Sequence, residues 1–156
     1  MKYRLLIFPA LVLVMTGCMT PAMKEESEID RGRELVMEMD CNNCHTPDYD
    51  LQPNVPEEDW LTGGNLGFTG PNGTVYPANL RLMISQMSED EWLKIAKKLR
   101  EGMPMEAVLL PNLPESDLIA IYRFVKHLGP KGYPAPEPLP PGEIPQTRYI
   151  DFPYIH

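Results

Sequence analysis

Cys41-Asn42-Asn43-Cys44-His45 places two thiols and an imidazole within a few residues of one another in a chain of 156 residues. Thiols separated by two residues sit about one helical turn apart, so both can add to the vinyl groups along one haem edge. The adjacent imidazole can then reach the iron. The chain has three Cys and three His, and random placement would produce this pattern in roughly one such sequence in a thousand. Two other chemistries use paired thiols. A zinc site would want a second Cys/His pair, and a thioredoxin-like dithiol a surrounding βαβ pattern; the sequence offers neither.

Upstream, Ile29, Leu35, Val36 and Met39 recur near helical spacing among charged residues, which predicts an amphipathic helix over about 26–39. Gly32 lies inside it, where a glycine costs about 1 kcal/mol against alanine. It either weakens the helix or permits close approach by another. The chain begins with Lys2 and Arg4 and an apolar run from Leu5 to Met15, too short to span a membrane and suited to a signal peptide. Met15-Thr16-Gly17-Cys18 resembles a bacterial lipoprotein box, in which Cys18 is lipidated and becomes the new N-terminus; a plain signal peptide or an uncleaved anchor are the alternatives. The expected organisation is a signal peptide over 1–17, a lipidated tether over 18–26, one domain over 27–130 and a proline-rich tail over 131–156.

Downstream, residues 46–81 are rich in Pro, Gly and Asn and read as a long loop. So long a run needs something to organise it. Trp60, Phe68, Val75, Tyr76 and Leu80 are candidates either to pack on a haem or to close the protein core. Ser88-Glu89-Asp90-Glu91 has capping-box spacing, followed by Trp92, Ile95, Ala96 and Leu99 on one face. Lys94, Lys97, Lys98 and Arg100 suit its later turns and read as a solvated face, with docking of an acidic partner as the alternative. Gly102-Met103-Pro104-Met105 follows, about sixty residues beyond His45 and between two helices. A thioether is a suitable second axial ligand opposite histidine, and a proline-containing loop can hold one in place, so Met103 and Met105 are the candidates. A last helix is predicted over about 114–128, with Leu118, Ile121, Tyr122 and Val125 on one face and Gly129-Pro130 to stop it. His127 in its final turn reads as a surface residue. Beyond it lies an extended, proline-rich tail whose aromatic end, from Tyr149, either folds back or meets a partner.

With Cys18 assigned to lipid and Cys41 and Cys44 to haem, no thiol remains for a disulfide. Removing Lys2 and Arg4 from 14 basic residues set against 22 acidic ones takes the formal charge from −8 to −10. That argues against nucleic acid and anionic membrane surfaces. It suits a partner with a basic docking patch, or acidity that serves only solubility.

Arg31-Gly32-Arg33-Glu34-Leu35-Val36 leading into Cys41-Asn42-Asn43-Cys44-His45-Thr46-Pro47, then Thr69-Gly70-Pro71-Asn72-Gly73-Thr74-Val75-Tyr76-Pro77-Ala78-Asn79-Leu80 and the Ser88 helix, resemble the class I c-type cytochromes. The likeness is to the bacterial periplasmic type found alone or as subunits of dehydrogenases, and it covers about 30–142. It implies an all-α cytochrome c fold of three to five helices around one covalent haem c. It also implies a first and last helix crossing beside the haem, with Gly32 at the approach and Tyr122 or Phe124 as contacts. Relatives place the ligand methionine about a dozen residues before an Asp-Leu pair, and counting back from Asp117 favours Met105 over Met103. Glu106 stands where a proline commonly follows the ligand, Pro114 where a capping Ser or Thr is common, and Arg81-Leu82 where Thr-Pro usually follows Asn-Leu.

The implied function is that of a lipid-anchored electron carrier rather than an enzyme, exchanging single electrons between a periplasmic dehydrogenase and a respiratory acceptor. It would act on no small-molecule substrate. A haem enzyme or gas sensor with an open axial position, and a structural lipoprotein without haem, are the alternatives. Met19 after Cys18 lacks the Asp that retains many lipoproteins at the inner membrane, which tilts the location toward the outer one.

Overall fold

The computed structural model describes residues 20–52, 54–98 and 110–152. Cys18, Met103 and Met105 lie outside the described residues, as do the expected signal peptide and Leu99 and Arg100, which were expected in the later turns of the Ser88 helix.

Helix α1 runs over Pro21–Glu38. It begins earlier than the expected 26 because Thr20-Pro21 is itself a start signal. The Thr20 hydroxyl accepts from the Met23 amide at 3.3 Å, and proline occupies the first turn, where its missing N–H costs nothing. Residues 21–26, expected in a tether, are therefore helical. Helix α2, Cys41–His45, follows after Asp40, whose left-handed backbone (φ 57°, ψ 32°) redirects the chain between the two helices.

Helix α5, Glu115–Leu128, is stopped by Gly129 at φ 70°. It crosses α1 at Gly32, where a Cβ would stand 2.0 Å from the Ala120 carbonyl oxygen and 2.7 Å from the Phe124 Cβ. Of the two readings of that glycine, close approach is the one the packing bears out. Phe124, fully buried, is the contact. Tyr122, predicted on the buried face, is half-buried, and its hydroxyl donates to the Met87 carbonyl at 3.0 Å.

Helix α4, Glu89–Ala96, carries the predicted capping box in full, and the Trp92 indole N–H donates to the Leu118 carbonyl at 2.7 Å. Its Ile95, expected to face inward, is 45% exposed. Between the halves of the chain, helix α3, Leu80–Ser85, is capped by Asn79, whose Oδ1 accepts from the Leu82 amide. With α1, α4 and α5 it surrounds a core of Leu35, Val36, Ile84, Trp92, Leu118, Ile121 and Phe124.

The all-α expectation needs correction. The fold is mainly helical but holds a small sheet of order β2-β1-β3, with β1 at Gly67–Gly70, β2 at Gly73–Val75 and β3 at Tyr149–Asp151. Strands β1 and β2 form an antiparallel hairpin across Pro71 and Asn72, with Gly73 at φ 111°. Turn residues that read as loop are here hairpin punctuation. Strand β3 pairs parallel with β1, and Leu139 exchanges two backbone hydrogen bonds of 2.9 Å with Thr74 on β2. The tail thus folds back on the domain, and Phe152 meets Phe68 edge-on at 6.0 Å. Among the described residues no helix is long and apolar enough to cross a membrane.

Candidate functional site

The left-handed Asp40 turns the chain so that α2 lies along the wall of a cavity of about 320 Å³. Cys41, Cys44 and His45 form that wall. Val36 of α1, Ile121 of α5, Trp92, Ile95 and Ala96 of α4, and Leu80 and Met83 of α3 supply apolar surface around it, and Phe68, Val75, Tyr76, Pro77 and Ala78 complete it. A volume in the range of about 300–1,000 Å³, an almost wholly apolar lining and a few convergent polar groups are what an organic cofactor requires.

His45 is 5% exposed. Its Nδ1 lies 2.8 Å from the Ala78 carbonyl oxygen; because a carbonyl can only accept, Nδ1 carries the proton and Nε2 the lone pair. Burial pushes the imidazole below its ordinary value of 6.5, which keeps the ring neutral and able to ligate. Its own carbonyl accepts from the Gly63 amide at 2.7 Å.

The surrounding loop is tied down by named polar side chains rather than by regular structure. The buried Thr46 hydroxyl donates to Asn42 Oδ1 at 2.7 Å and accepts from the Leu61 amide at 2.8 Å. Gly64 passes so close to the Cys44 carbonyl that a Cβ would lie 2.3 Å from its oxygen. Asn79 Nδ2 donates to the Lys131 and Tyr133 carbonyls at 2.9 and 3.0 Å, binding the tail to the segment that holds His45. Arg81 is buried and donates to the carbonyls of Gly129 at 2.5 Å, Glu58 at 2.7 Å and Leu128. It closes the C-terminal end of α5.

Both thiols are partly exposed. Burial, then the charges of Asp40 and Cys44, push the Cys41 thiol up to about 12. Burial, Asp40 and Asp50 also raise Cys44. Dithiol redox motifs work through a thiol whose pKa is lowered, the opposite direction. Among the described residues no cluster of three or more His, Cys, Asp or Glu side chains could hold a metal ion.

The sequence-predicted residues divide clearly. Cys41, Cys44 and His45 come together, and Phe68, Val75, Tyr76 and Leu80 line the same cavity. Trp60 belongs to the core, 6.4 Å from Phe124 and 6.5 Å from Tyr49, both edge-on. His127 does not line the cavity. Met83, a methionine that precedes the Met103–Met105 loop in the sequence, does line it. The Asn79 cap followed by Leu80-Arg81-Leu82-Met83-Ile84 was the available signal for the helix that carries it. No family model, no curated protein and no solved structure matches this chain.

Proposed function

We propose that this protein is a mono-haem electron carrier of the c type with a cytochrome c-like fold, tethered to a bacterial membrane through lipid on Cys18. The observation that carries this reading is the single wall on which the Cys41 and Cys44 thiols meet a neutral, oriented His45 at an apolar cavity. A haem bound there would supply reversible one-electron exchange at its iron.

The chain's own residues have definable parts in that function. Cys41 and Cys44 would hold the haem through two thioether bonds, the S–H of each thiol being added across one vinyl group. The Ala78 carbonyl holds His45 in the tautomer whose Nε2 faces ligation, an orienting contact of the kind that sets ligand basicity. Apolar side chains from α1, α3, α4 and α5 would exclude water from a haem held there and so set the electrostatic environment of its iron. Met105, with Met103 as the alternative, is the proposed second ligand. The acidic charge of the chain suits a redox partner with a basic docking patch, a periplasmic dehydrogenase being the proposed class.

Haem staining after denaturing electrophoresis tests the attachment, because a thioether-linked haem survives denaturation. The full chain, expressed with haem maturation machinery, should stain; Cys41→Ser with Cys44→Ser should not. A wild-type preparation without stain would end this reading. In the stained protein, Met105→Ala should convert the low-spin iron spectrum to high spin while Met103→Ala leaves it low spin. A wild-type iron that is already high spin and takes up carbon monoxide readily would favour an open-site haem protein instead.

A further inference from the structure

The almost wholly apolar cavity has one charged residue among its described lining residues. Asp40 alone among its described lining residues carries a carboxylate. Its position is fixed by backbone rather than chance: the residue sits at φ 57° between α1 and α2, its amide donates to the Met37 carbonyl at 3.1 Å and its carbonyl accepts from the Asn43 amide at 3.2 Å. The carboxylate accepts from the neutral Asn43 side-chain amide. Among the described residues it forms no ion pair, whereas Asp48 and Asp50 on the next turn share Arg148 at 3.1–3.3 Å. A full negative charge therefore stands beside the thiol pair, with no described counter-cation.

We infer that Asp40 is an electrostatic positioning residue that lowers the reduction potential of a haem held by Cys41, Cys44 and His45. The inference rests on the haem reading above. An oxidised haem iron carries one more positive charge than the reduced one, and a fixed anion near the apolar cavity stabilises the more positive state. Because Asp40 is exposed, the effect is open to screening by salt.

The test is a redox titration of the haem-bearing full chain and of Asp40→Asn. Asparagine keeps the side-chain shape and tolerates the left-handed backbone, so the fold and the Asn43 contact are retained. Asp40→Asn should raise the midpoint potential. At a fixed applied potential near the midpoint, that corresponds to a roughly two- to tenfold higher ratio of reduced to oxidised protein at low ionic strength. The difference should shrink as salt is added, a dependence that a merely structural role would not show. Glu25→Gln is the control: it removes the same charge about 20 Å further back along α1 and should leave the potential unmoved. A haem-bearing Asp40→Asn protein with unchanged potential, or with a shift indifferent to salt, would overturn this inference alone. A chain that binds no covalent haem would overturn both this inference and the reading beneath it.

Discussion

The α1–α5 crossing and the segment from Thr46 to Asn79 with its tail build opposite sides of the same cavity by different means. The crossing is held by interdigitated apolar surface: Leu35 and Val36 on α1 meet Leu118, Ile121, Phe124 and Val125 on α5, all nearly inaccessible to water. The loop side has little regular structure, with a 3-10 turn at Glu57–Asp59 and three short strands. It is held by a handful of polar side chains, each bonding a backbone group distant in sequence. A non-directional packing surface tolerates approximate sequence, provided volume is kept, whereas a hydrogen-bonded loop depends on particular atoms. The Cys41–His45 turn sits at the junction, following α1 directly, with its imidazole oriented by the loop.

The largest effect is expected where the packed half has no spare volume. Gly32→Ala adds a single methyl at a place where its carbon would lie 2.0 Å from a backbone oxygen, so α1 and α5 must separate. The cost should be about 3 kcal/mol or more, outweighing the gain of about 1 kcal/mol in helix propensity. Thermal unfolding should show a fall in midpoint for Gly32→Ala and little change for Met37→Ala, an exposed position on the same helix. An unchanged Gly32→Ala midpoint would show that the helices are less closely packed than the crossing implies.

On the loop side the comparable site is Arg81. Arg81→Leu keeps an apolar stem but leaves the Gly129, Glu58 and Leu128 carbonyls without their shared donor. Unmet buried acceptors cost about 1–3 kcal/mol each at most, and partial solvation should bring the sum to about 2–4 kcal/mol by urea denaturation. Arg81→Lys should recover only part of this, because one ammonium cannot reproduce the fork of a guanidinium. Full rescue by lysine would show that charge, rather than directed bonding, holds the loop half.

Asn79→Ala should have a smaller and more local effect, about 1–2 kcal/mol, from loss of the α3 cap and the two tail contacts. Its signature is positional. Hydrogen exchange should quicken in the tail around Lys131 and Tyr133 and in the first turn of α3, while α1 and α5 keep their protection. Uniform loosening would break the distinction between the two halves.

That distinction also explains what could be read from sequence. Helices α4 and α5 were legible because apolar residues at helical spacing and the Ser88–Glu91 box are local signals, and Gly129 marked the end of α5. The gathering of Cys41, Cys44 and His45 on one cavity wall was legible because the three stand within five residues of one another. The β3–β1 pairing was not, since Tyr149 and Gly67 are joined by parallel bonds across most of the chain and nothing local in either specifies the other. Trp60 and Phe68 looked alike in sequence, yet one fills the core and the other lines the cavity. Periodicity says that a residue is apolar, and only the fold says which apolar space it enters.

The smallest expected effect is electrostatic and belongs to the helical half. At the start of α4 the Ser88 hydroxyl accepts from the Glu91 amide while Glu91 accepts from the Ser88 amide and hydroxyl. Those bonds hold the Glu91 carboxyl below its usual value of 4.5. A carboxyl whose folded pKa is depressed contributes stability that is fully present above the unfolded value and is lost as pH falls through the folded one. Ser88→Ala should therefore cost about 1 kcal/mol near neutral pH, and the gap between variant and wild type should narrow in acid, as the Glu91 carboxyl protonates below its usual range. Arg81→Leu gives the contrast, because guanidinium stays charged throughout this range and its deficit should be the same at both pH values. Paired urea midpoints for the two variants thus separate a cap that titrates from a loop clamp that does not, and a Ser88→Ala deficit that persists undiminished in acid would assign the cap's contribution to the hydroxyl alone.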